Sequence, residues 1–109
     1  MAIPKRLTGR WRISEMDLWD RDAIDLVGPA FIEFSANGKG QIRFIAVEGY
    51  LTGAVDKQDR TRADFTWEGY DDGDQVSGYG WVKSESDVLR GHIYFHNGDD
   101  SGFTATNPH

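Results

Sequence analysis

His92, Tyr94 and His96 recur at every second position of one segment, with Arg90 in the same row. Imidazoles titrate near neutrality and can serve as acid, base or metal ligand. Along an extended chain, however, each residue advances about 3.3 Å, so His92 and His96 stand roughly 13 Å apart, too far to share one ion. A metal would need ligands from a neighbouring strand, such as Asp64 or Glu68. The plainer reading is the polar outer face of a strand. No metal and no cofactor is expected.

Asn97-Gly98-Asp99-Asp100 and Asp71-Asp72-Gly73-Asp74 gather carboxylates. Neither has the twelve-residue calcium pattern with its terminal Glu, and Asn, Gly and Asp are the residues that tight turns require. Acids are numerous enough for glycoside chemistry, but no spacing singles out a pair. Nucleophile-elbow, phosphate-loop, dinucleotide and His-Glu-x-x-His patterns are all missing. Gly78-Tyr79-Gly80-Trp81 is glycine-rich, yet no helix follows it to cradle a phosphate. The residues thus carry no catalytic signature, and an enzyme using His92 or His96 as acid/base ranks third among the functional readings.

Aromatic residues carry the first reading. Trp19, Phe44, Trp67, Tyr79, Trp81 and Tyr94, with His92 and His96, are the expected ligand-binding set: an aromatic-lined interior around a small, partly apolar or aromatic ligand. Against it stands a plainer account, in which the rings fill a narrow barrel whose interior has room for little else.

These residues must be positioned by strands. Alternation of apolar and polar residues predicts eight of them, spanning 7–15, 30–35, 40–47, 50–55, 62–69, 75–83, 88–96 and 101–106. Trp11, Ile13, Ile32, Phe34, Ile42, Phe44, Phe65, Trp67, Leu89, Ile93, Phe95, Phe103 and Ala105 fall on one face, and charged and hydroxyl residues fall on the other. Asn37-Gly38, Glu48-Gly49, residues 56–61, 70–74, 84–87 and 97–100 read as the turns between them. Between the first two strands the period changes. Met16, Trp19, Ala23 and Val27 follow helical spacing up to the Gly28-Pro29 stop, which predicts one amphipathic helix over 15–28, with an irregular lid as the alternative. Short hairpin links favour up-and-down order. The expected fold is all-β with one short helix: about eight antiparallel strands in a meander, closed as a barrel or strongly curved. Ile45 and Val47 break the pattern, being apolar on the second face of the predicted third strand. That patch predicts a cover, either the helix or a second subunit in a homodimer.

Composition bounds the rest. With 109 residues, the chain makes one domain, 1–109. Its net charge of −6 argues against nucleic acid and anionic membranes as partners. It has no cysteine, so disulfides and thiolate chemistry are excluded, and a cytoplasmic location is the expectation. Met1 to Leu7 lacks the apolar stretch of a signal peptide, and no run approaches the ~20 apolar residues that span a bilayer.

At Leu7-Thr8-Gly9-Arg10-Trp11 the chain resembles the calycin superfamily of lipocalin-like and avidin-like barrels, whose first strand carries Gly-x-Trp. The resemblance implies a barrel closed at one end by Trp11 and open to a ligand at the other. Lipocalins place an arginine near the last strand against that tryptophan. Ser101 to His109 has none, and Arg90 one strand earlier is the substitute. No biotin-site pattern is present. The stretch Gly91-His92-Ile93-Tyr94-Phe95-His96-Asn97-Gly98-Asp99-Asp100-Ser101-Gly102-Phe103 is similar to one shared by uncharacterised bacterial families, which implies no activity. Three functions therefore stay open: a small-molecule-binding barrel, a solid-core domain that self-associates or binds a protein, and a histidine-based enzyme.

Overall fold

The alternation is realised as eight strands in a computed structural model that describes residues 3–107. They are β1 (Gly9–Met16), β2 (Phe31–Phe34), β3 (Lys39–Phe44), β4 (Val47–Val55), β5 (Arg62–Asp71), β6 (Asp74–Glu85), β7 (Val88–Phe95) and β8 (Asp100–Thr106). Each strand pairs antiparallel with the next, and β8 returns to β1, closing an up-and-down barrel in sequence order. Closure leaves no unpaired sheet edge. Met1 and Ala2, which open the segment read for a signal peptide, lie outside the described residues, as do Pro108 and His109. Among the described residues, no helix is long and apolar enough to cross a membrane.

The apolar face assigned from period two is the barrel interior. Ile13, Ile32, Phe44, Leu89, Ile93 and Ala105 are fully buried, while Trp11, Phe65, Trp67 and Phe103 keep at most 5% of their surface. Large rings fit because glycines face them. Phe65 sits between Gly53 and Gly80, Trp67 lies opposite Gly78, and Phe103 lies opposite Gly91. A Cβ at Gly80 would lie 2.6 Å from the Phe65 ring and 2.5 Å from the His92 carbonyl oxygen. Ring-over-glycine pairing thus fills the narrow bore and lets neighbouring strands bend around it.

A 3₁₀ turn, Lys5–Leu7, plugs one end. Leu7 is fully buried there, and its carbonyl accepts a 3.3 Å hydrogen bond from the Trp11 indole N–H. Residues 17–30 cross the other end. Their fully buried Ile24 accepts a backbone hydrogen bond from Ile45 at 2.8 Å, and Trp19 packs its ring 5.8 Å from that of Phe44.

Two local expectations are corrected. The predicted helix over 15–28 contracts to one turn, α1 (Arg21–Ile24), capped by the Asp20 carboxylate accepting from the Ala23 N–H. Glu15 and Met16 belong instead to β1, where Met16 pairs with Phe103. On the far side, Asp25 takes a bidentate grip from Arg12 and accepts the Ala30 N–H at 2.9 Å, which turns the chain back towards β2. Val27, predicted on the helix's apolar stripe, is 60% exposed. Tertiary hydrogen bonds outweigh the weak preference of a short helix.

The second correction moves a hairpin. The β3–β4 turn is Ile45-Ala46, not Glu48-Gly49, and Phe44 pairs with Val47. Val47 therefore points inward and is 2% exposed, while Ile45 packs partly against the core. Ile45 adopts φ 56°, an unfavourable conformation for a β-branched residue. Two hydrogen bonds hold this turn: the Ile45 N–H to the Ile24 carbonyl and the Asp72 N–H to the Ala46 carbonyl. The gain is that Val47, Gly49, Leu51 and Val55 keep the inward phase of the barrel. No apolar second face exists on β3, so the patch that suggested a homodimer there is absent.

Candidate functional site

The eight residues expected around one interior are divided by the barrel wall. Phe44 and Trp67 are core residues. Trp19 is half-buried at the covered end, beside a space of about 80 Å³ that Phe44, Val47 and Phe95 also line. Phe95 stands edge-on to both Phe44 and Trp67, the latter at 5.0 Å. Tyr79, Trp81, His92, Tyr94 and His96 project from the outer wall of β6 and β7 and just beyond it.

Four of the outer five, His92, Tyr94, Tyr79 and His96, form a continuous aromatic row. Tyr79 and Tyr94, directly opposite on adjacent strands, stack at 4.6 Å with planes 8° apart. His92 packs 4.5 Å from Tyr94 on one side, and His96 lies 6.3 Å from Tyr79 on the other. His92 Nε2 shares a 2.5 Å hydrogen bond with the Asp100 carboxylate, and His96 Nδ1 shares one of 3.1 Å with Ser77 Oγ. Asp100 thus orients His92, but no hydroxyl or thiol nucleophile is hydrogen-bonded to that pair among the described residues. Ser77 and His96 resemble a nucleophile–base couple, and among the described residues no carboxylate is hydrogen-bonded to that imidazole in the manner of a catalytic triad. Trp81 lies under the Arg62 guanidinium, 4.8 Å from its ring centre.

A groove of about 750 Å³ runs beside this row from the start of β3, where Lys39 lines it, across β4, β5 and β6. Tyr50 and Tyr79 flank it, with Thr52, Thr66 and Glu68 between them. The register explains the arrangement: Tyr50 faces Glu68, Glu68 faces Ser77, and Thr66 faces both Thr52 and Tyr79. Trp67 reaches the groove because Gly78 opposite it has no side chain; a Cβ there would lie 2.9 Å from the indole nitrogen. Of the sequence-predicted residues, the groove brings together Trp67, Tyr79 and His96, and it excludes Trp19, Phe44, Trp81, His92 and Tyr94.

Sequence reasoning missed Tyr50, Thr52 and Ser77 as site residues, saw Thr66 only as part of a polar face, and raised Glu68 beyond that face only as a conceivable metal ligand. Their signal was an aromatic residue on a solvent-facing phase, where a soluble strand has no packing need for one. Several charges elsewhere on the wall are engaged. Arg10 caps the Phe31 ring at 3.9 Å and pairs with Glu33, and Arg43 lies over the same ring at 5.1 Å. The Arg12 guanidinium holds the Asp25 carboxyl below the usual carboxylate range, chiefly by hydrogen bonding, and the pairing raises Arg12 in turn. No group of three or more His, Asp or Glu side chains is placed to hold a metal among the described residues. No family model, no curated protein and no solved structure matches the chain.

Proposed function

We propose that the protein is a non-enzymatic small-molecule-binding barrel whose ligand lies on the outer wall, between Tyr50 and Tyr79. The observation that carries this reading is the groove: its volume of about 750 Å³ falls in the range of small-molecule sites, roughly 300–1,000 Å³. Two rings 64% and 49% exposed flank it, over polar side chains that can orient a ligand. The interior favours the wall over the bore, because rings and glycines already interlock there. The Gly9-Arg10-Trp11 start supports kinship with ligand-binding barrels, although those hold their ligands inside.

Backbone amide shifts of isotope-labelled protein, followed by NMR against small ammonium, sugar and aromatic probes, test the reading. The expected result is movement of the Thr66, Glu68, Ser77 and Tyr79 amides, abolished by Tyr79→Ala at an unchanged melting temperature. Shifts confined to Phe44 and Trp19 at the covered end overturn it, as does the absence of any shift at millimolar probe.

Self-association is the second reading, now on a different surface. Leu18, Leu26 and Val27 are each more than half exposed on the segment that covers the barrel end.

A further inference from the structure

We infer that the groove takes an organic cation, an ammonium group with an apolar body, and that Glu68 is its counter-ion. This rests on the outer-wall reading above. The β4–β5–β6 register sets Glu68 directly beside Tyr50, with Tyr70 two residues further along the same face and Tyr79 diagonally opposite. At about 4.8 Å between strands and 3.3 Å per residue, the three tyrosine Cα atoms lie roughly 5–8 Å from that of Glu68. All three rings are exposed. One carboxylate thus stands inside a triangle of solvent-facing tyrosines.

The electrostatics of that triangle are unfinished. The Glu68 carboxylate has no ion pair or hydrogen bond among the described residues. On β3, the Cα atoms of Lys39 and Arg43 lie two strands and two residues from that of Glu68, roughly 12 Å by the same spacing; Lys39 lines the groove, yet neither cation is ion-paired to Glu68 among the described residues. Elsewhere on this wall the apolar rings are capped from within, Phe31 by Arg10 and Arg43 and Trp81 by Arg62. Tyr50, Tyr70 and Tyr79 carry no such cation among the described residues. The Tyr79–Tyr94 stack fixes the direction of one ring. Its 4.6 Å separation matches the strand spacing, so the rings stand upright and the other face of Tyr79 turns towards β5 and the groove. Aromatic faces around a carboxylate are the chemistry that recognises alkylated ammonium groups, and the net charge of −6 favours such a ligand at long range. A sugar would use the ring faces and hydroxyls but would gain little from the charge of Glu68.

Choline, its neutral carbon isostere 3,3-dimethyl-1-butanol, and cellobiose are the probes, titrated against the labelled protein. Choline is expected to shift the Thr66, Glu68 and Ser77 amides saturably and to bind about tenfold tighter than the isostere. Glu68→Gln should weaken choline about tenfold and leave the isostere unaffected, with no change in melting temperature, since the residue is exposed and unpaired. Equal binding of choline and isostere, or cellobiose binding with choline insensitive to Glu68→Gln, overturns the cation inference while the groove stands. Absence of any shift at those amides overturns both readings.

Discussion

At the residue scale, Trp11 shows how one side chain links sequence to stability. It is 5% exposed, and its indole N–H is tied to the Leu7 carbonyl of the plug. Trp11→Ala removes a large buried ring and leaves that carbonyl without its donor. The expected cost is about 3–5 kcal/mol, read from urea unfolding. A midpoint within error of wild type would place the ring outside the core. Val47 reverses a sequence-based expectation. Read from the chain alone, Val47→Glu tests a dimer contact. In the barrel the same change puts a carboxylate into the interior, so loss of cooperative unfolding is expected, not dissociation. A folded, more dispersed Val47→Glu protein would contradict the inward phase of β4.

Elements are held by pairings that can be tested separately. Gly80 faces Phe65, and a Cβ there meets both that ring and the His92 carbonyl. Gly80→Ala is expected to destabilise by about 1–3 kcal/mol, and Phe65→Leu in the same chain should recover part of it, because the ring contact disappears. Strict additivity in that double-mutant cycle would show that ring and glycine do not share the space. The segment over the covered end depends on Arg12 and Asp25, whose side chains keep 35% and 26% of their surface. The folded carboxyl of Asp25 sits below its ordinary value. Its contribution is therefore present above about pH 4, the ordinary aspartate range, and is lost as pH falls through the lower folded value. For a pair this accessible the contribution is about 1 kcal/mol or less. Asp25→Asn should flatten the acid limb of stability below about pH 4 and speed amide exchange of Ala30. An acid limb identical to wild type would assign it to other carboxylates.

On the scale of the whole molecule, closure of the sheet decides which surfaces are left for partners. With the edges paired and the bore filled, the outer wall and the segment 17–30 remain. Leu26→Asp with Val27→Asp removes the exposed apolar pair on that segment. If self-association uses it, sedimentation at tens of micromolar should shift from dimer to monomer. A wild type that sediments as a monomer rules the association out.

Strand count, strand order and the inward phase of all thirteen apolar-face residues were legible in the chain, because alternation is local and needs only neighbours two residues away. Twelve of them are buried, and Phe95 is half-buried at the covered end. Turn chemistry was legible where glycine or asparagine marked it. It misled at Glu48-Gly49, since the true turn at Ile45-Ala46 is held by backbone hydrogen bonds to the Ile24 carbonyl and from the Asp72 N–H that no local reading contains. The helix contracted for a similar reason: Arg12 and Phe103 compete for its ends from distant strands. The candidate site depended most on tertiary structure. Period two put Thr66, Glu68, His92 and Tyr94 on an outer face, but only register could set Tyr50, Glu68 and Tyr79 side by side. Register is a relation between strands, set by turn geometry and by which glycine receives which ring.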